Sequence, residues 1–133
     1  MAPRRWVVTR LAYQYVVLRC VPRPDREEFL NVGVVVYCEE QGFLDVACHV
    51  DEERLRALDP RVDLAQVHAG LAFVGAVCAA DPAAGDAAEA PLGQRFGFLR
   101  APRSTVIQPG PVHGGLTTDP PRQLEHLLER LVG

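Results

Sequence analysis

Between Tyr13 and Cys20 the run YQYVVLRC is rich in aromatic and β-branched residues and stops at the proline-punctuated VPRPDREE. That is the pattern of a first strand followed by a polar connection. NVGVVVYC, Asn31 to Cys38, is apolar at nearly every position, which predicts a central strand covered on both faces. In FLDVACHV the period becomes two: Leu44, Val46, Cys48 and Val50 alternate with Asp45, Ala47 and His49. One face is therefore expected to be buried and His49 to point outward. If EEQG closes a four-residue hairpin loop, Cys38 lies opposite Phe43 and Cys48 opposite Gly33.

The pattern then turns helical. Asp51 can cap a short helix through Leu58, and Asp63 with Gln66 resembles a capping box opening LAQVHAGLAFVGAVCAA, with a buried stripe of Leu64, Val67, Leu71, Val74 and Cys78. DPAAGDAAEAP, Asp81 to Pro91, has the small residues and prolines of a surface loop. APRSTVIQPGPVHGGLTTDP, Ala101 to Pro120, reads as a long segment with little regular structure, and connections of roughly twenty residues are usually functional or disordered. The expectation here is an ordered binding loop. Asp119 as N-cap, Pro120 at the first helical position and Leu124, Leu127, Leu128 and Leu131 on one face predict a closing amphipathic helix. The sum is one α+β domain over residues 12–133: a mainly antiparallel sheet of three or four strands packed against two main helices. It follows a basic tail of residues 1–11.

Composition narrows the function classes. The chain has 133 residues, 48% of them hydrophobic and 23% charged, with a formal charge of −3 and a pI near 5.8. These values suit one globular domain and give no general footprint for nucleic acid, which is not an expected partner. The only basic clusters are Arg4, Arg5 and Arg10 in the tail and Arg19, Arg23 and Arg26 in the first connection, the latter interleaved with Asp25, Glu27 and Glu28 as in a solvated face. WVV near the start is too short for a secretory h-region or a membrane span, so a cytoplasmic location is expected. Cys20, Cys38, Cys48 and Cys78 have no CxxC spacing and read as free, buried thiols.

Chemistry concentrates in the long segment. Arg103 offers a guanidinium fork, Ser104 and Thr105 offer hydroxyls, and Gly114 and Gly115 allow backbone N–H groups to approach an anion. His113 could donate to the same anion or move protons near neutral pH. The same residues also have structural readings as a helix cap, strand ends and a loop pin. Asn31, before the glycine of the second strand, could face a ligand or close a turn. No metal or other cofactor is expected, since His49, His113, Asp25 and Glu28 lack ligand spacing. A Ser104, His113, Asp119 triad lacks a GxSxG elbow. His68 and His126 read as structural or solvated.

The stretches YQYVVLRCVPRPDREEFLNVGVVVYC, RLRALDP and APRSTVIQPGPVHGGLTTDP resemble a family of small bacterial proteins catalogued as domain of unknown function 3037. The likeness runs from Tyr13 over nearly all of the chain. The family has no established activity. Its members are often encoded beside HipA-like serine/threonine kinases, so the resemblance implies an accessory or regulatory role. The leading expectation is a binding or regulatory protein that forms a homodimer or a complex with such a kinase, with Arg103 to Gly115 as its recognition site for an anionic ligand. The alternative is a small phosphate-ester hydrolase or nucleotide-binding enzyme using Arg103, Ser104 and His113.

Overall fold

A computed structural model describes residues 9–133. Arg4 and Arg5 lie outside the described residues. The first strand, β1, runs from Leu11 to Cys20, two residues earlier than its aromatic run suggests. β2 spans Leu30–Cys38 and β3 spans Phe43–Cys48; both pairings, β1 with β2 and β2 with β3, are antiparallel. The hairpin register is the one the four-residue loop dictates, with Cys38 opposite Phe43 and Gly33 opposite Cys48.

Three helices cover one face of this sheet. α1 is Glu52–Leu58 and α2 is Leu64–Ala79. Asp51 and Asp63 cap them by accepting hydrogen bonds from the backbone N–H of Arg54 and of Gln66. The buried stripe of α2 is Val67, Leu71, Val74, Val77 and Cys78, while Leu64 is only half-buried. Asp81–Pro91 is more ordered than a loop: 3₁₀ turns occupy Pro82–Glu89 and break at Gly85, where φ is 66°. Leu92–Arg100 then forms α3, an element whose apolar pattern was too short to stand out. Phe96 and Leu99, three residues apart, are its buried face. Arg95 fastens α3 to the end of α2 by donating to the carbonyls of Val77 and Cys78 at 2.9 and 2.8 Å. Those are carbonyls that a helix end leaves open.

The long C-terminal segment is not a loop. It contributes β4, Ile107–Pro109, and β5, His113–Thr117, which lie end to end along the outer edge of β1. The sheet therefore has five strands in place of three or four, while the α+β class and the antiparallel pairing hold. Between the two pieces Gly110, Pro111 and Val112 stand opposite only Val16 and Val17, so the strand bulges outward. The N–H of Gly110 still reaches the carbonyl of Val17 at 2.8 Å. α4, Pro120–Leu131, closes the opposite face of the sheet, with Asp119 accepting from the N–H of Arg122 as its cap.

Strand alternation divides the side chains into two cores. Val16, Leu18, Cys20, Val32, Val35 and Leu44 join α1, α2 and α3. Leu11, Tyr13, Val34, Val36 and Cys38 join Leu124, Leu127 and Val132 beneath α4. The apolar run of β2 is thus buried on both sides, as its sequence requires.

All four cysteines are free. Cys20, Cys38 and Cys78 are buried, but Cys48, the last residue of the edge strand β3, is exposed. Burial pushes the Cys20 thiol up to about 11 and the Cys78 thiol up to about 12. Burial of the sulfur, which leans toward Gly33, and then the charge of Asp45 also raise Cys48. Limited iodoacetamide treatment of the native protein near pH 8 is therefore expected to alkylate Cys48 first, and intact mass should show one adduct before four appear on denaturation.

A second expectation concerns the end of α2, where Ala80 sits in the left-handed region with φ of 55°. Such a conformation costs a residue with a Cβ roughly 1–2 kcal/mol, so Ala80→Gly should stabilise the protein by about 1 kcal/mol in chemical denaturation.

Candidate functional site

The sheet separates residues that lie close in sequence. Arg103, Ser104 and Thr105 lead into β4 and line a cleft on the α2 and α3 side. His113 stands opposite Tyr15, and Tyr13, two residues along β1 from Tyr15, belongs to the core beneath α4. The ring of His113 stacks on that of Tyr15 with centroids 5.1 Å apart. Arg103 and His113 therefore face opposite sides of the sheet, which corrects the expectation that they converge on one anion. Gly114 and Gly115 do not form a backbone nest either, since both are paired in β5 and neither has a positive φ. Gly115 has a packing reason: a Cβ there would lie 2.9 Å from the ring of Tyr13. Asn31 is a tie between elements, its Nδ2 donating to the carbonyl of Leu131 at 3.1 Å and closing the end of α4.

The cleft on the α2 side encloses about 670 Å³. Its walls are apolar, with Leu18, Val21, Phe73, Val74, Leu99 and Ile107 among them, and Gln66, Arg103, Ser104 and Thr105 supply the polar groups. A cavity of this size with few polar groups has the dimensions of a small-molecule site. Phe73 and Phe98, which meet edge to face at 6.2 Å, remain 37% and 42% exposed. Large aromatic rings left open beside a cavity are a feature of binding surfaces.

Arg103 holds its place at this rim in two ways. Its NH2 donates to the carbonyl of Phe98 at 2.6 Å, and its guanidinium carbon lies 4.5 Å from the centre of the Phe98 ring. Burial pulls its pKa below the usual arginine value, yet the group stays charged, since arginine loses its proton far above neutrality. Among the described residues Arg103 forms no ion pair. Thr105 is committed to the backbone, donating to the carbonyl of Ile107 at 2.7 Å, whereas Ser104 is exposed. The carboxylates and histidines weighed as metal ligands stay dispersed: among the described residues no three His, Cys, Asp or Glu side chains come together. Among those residues also, no single helix is long and apolar enough to cross a membrane.

Sequence reasoning found Arg103 and missed its surroundings. Phe73, Gln66 and Ala69 sit on α2 outside its buried stripe, and Phe98 and Leu99 belong to the unassigned α3. The legible signal was the Phe96–Leu99 spacing in LGQRFGFLR.

Fold and cleft together define a small α+β domain with an apolar cavity and a single guanidinium at its rim. The chain belongs to the family described as protein of unknown function (DUF3037), whose model matches residues 15–132. No curated protein and no solved structure matches it.

The cleft depends on how closely α2 approaches β4. At Gly70 a Cβ would lie 2.8 Å from Cγ1 of Ile107, so Gly70→Val has to force the helix off the strand. Overpacking of this kind costs about 1–3 kcal/mol, and the variant is expected to show a lower denaturation midpoint.

Proposed function

We propose that this protein is a non-catalytic binding domain that takes an organic anion with an apolar body into the cleft between α2, α3 and β4. One observation carries the reading: a cavity of about 670 Å³ with hydrophobic walls ends at a guanidinium that has no ion pair among the described residues. A hydrophobic body would displace water from the walls, and a carboxylate or phosphate would accept from Arg103. Binding in such a place stiffens the seam between α2 and the segment leading into β4, which is a change that a protein partner can sense. A HipA-like kinase is our candidate for that partner, and the open rings of Phe73 and Phe98 offer it apolar contact. The alternative, a phosphate-ester hydrolase or nucleotide-binding enzyme using Arg103, Ser104 and His113, draws no support from the geometry, because the histidine stands across the sheet from the other two.

Thermal melts with decanoate, phenyl phosphate and inorganic phosphate test the reading. A ligand at a hundred times its Kd stabilises by about 2.7 kcal/mol, so decanoate or phenyl phosphate should raise Tm and inorganic phosphate alone should not. Arg103→Ala should abolish the rise, as should Ala69→Trp, which fills the cleft from an exposed helical position. No shift with either organic anion, or a shift that both variants retain, would overturn the proposal.

A further inference from the structure

α4 covers only part of its side of the sheet. It packs on β2 and β3, and leaves a strip along β1 where Tyr15, Val17 and Arg19 remain half-buried. These three share one face, spaced two residues apart, so the strip is roughly 13 Å long at the usual strand rise. At one end stands the stacked pair of Tyr15 and His113, with the Tyr13 ring 6.0 Å from that of Tyr15. At the other end the guanidinium of Arg19 lies over Phe29, its carbon 4.2 Å from the ring centre. Gly110 leaves room for it, since a Cβ there would come within 3.3 Å of the same guanidinium.

Arg19 is unusually placed for a cation. Its Nε is buried with no hydrogen-bond partner, and among the described residues it forms no ion pair. Beyond Phe29 the surface continues into a polar recess of about 260 Å³ lined by Asn31, Arg54, Arg130 and the stretch from Leu131 to Gly133. The strip thus has a stacked aromatic pair at one end and a guanidinium at the other, where the recess that adjoins it adds Arg130 of α4 and Arg54 of α1 at the end of the sheet.

We propose that this face binds single-stranded nucleic acid, with a base stacking at the Tyr15–His113 pair and backbone phosphates at Arg19 and the Arg54–Arg130 recess. Aromatic rings on a sheet accept any base through its π-face, and arginines track the phosphates. The local charge argues for this occupant over an apolar peptide, which would leave three arginines without partners. A base inside a duplex keeps its faces stacked on its neighbours and cannot take up the aromatic pair, so single strands are preferred, and binding rests on this local charge and not on the overall charge of −3. This inference is independent of the cleft, which lies on the other face.

Fluorescence anisotropy with labelled twelve-nucleotide oligo-U, oligo-dT and a duplex of equal length, at low and moderate salt, tests it. Expected are binding of the single strands, at least tenfold weaker binding of the duplex, and affinity that falls as salt rises. Tyr15→Leu keeps apolar volume beneath the strip and Arg19→Lys keeps its charge; each should weaken oligo-U about tenfold with an unchanged melting curve. Arg61→Ala, which removes an exposed arginine from the connection between α1 and α2, should have no effect. Absence of single-strand binding at low salt, equal affinity for duplex, or binding that neither strip variant changes more than twofold would overturn the proposal.

Discussion

Everything in this protein is referred to β1, because its backbone must be hydrogen-bonded along both edges. Ten residues lie in the middle of a sheet, and a buried N–H or carbonyl without a partner is costly. β2 supplies one edge from Gln14 to Cys20, with an irregularity between Leu18 and Arg19. The other edge has to be completed by the far end of the chain, which brings it in two pieces around Gly110. That requirement turns a proline-rich and glycine-rich stretch into strand. It also sends the chain directly from β5 into α4, so the helix that seals the second core begins where the edge strand ends.

The same alternation explains why two chemistries occupy two sides. Neighbouring positions in a strand point to opposite faces, so a segment that looks like one cluster in sequence is sorted by the sheet into separate surfaces. Arg103 and His113 are ten residues apart with the bulge between them, and each is held by a different aromatic partner: Phe98 for the arginine, Tyr15 for the histidine. Arg19 and Arg103, neither of which forms an ion pair among the described residues, rest on phenylalanine rings. Such stacking fixes a guanidinium in position without an acidic partner, a different outcome from the solvated ion pairs of Arg23 with Asp25 and Arg26 with Glu28 in the first connection.

Much of the fold could be read along the chain. Strands of strong period, the aspartate caps at 51, 63 and 119 and the hairpin register were legible because each depends on near neighbours. Three things were not. β4 and β5 contain a proline and two glycines, with Gly110 and Pro111 between them, and only pairing with a distant strand makes them extended. α3 has nine residues with two glycines, and its stability comes from Phe96 and Leu99 against the core and from Arg95 on the carbonyls of α2. Cys48 follows the alternation of its strand, but its exposure depends on which strand lies at the edge. Of the candidate site, the arginine was legible from its neighbours in sequence, whereas the cleft walls come from α2 and α3 and are brought together only by tertiary packing.

The prolines of the edge have a meaning beyond shaping the bulge. An outer strand with free N–H groups invites another molecule to add to the sheet. Pro109 and Pro111 remove two of those donors, and on the far edge Asp45 accepts from the N–H of Val46 at 2.8 Å, occupying a donor of β3. Neither border therefore offers an uninterrupted row of donors, so growth of the sheet from molecule to molecule is blocked at both ends. What such borders leave for contact is the outer surface of the helices and the strip of β1 that they do not cover.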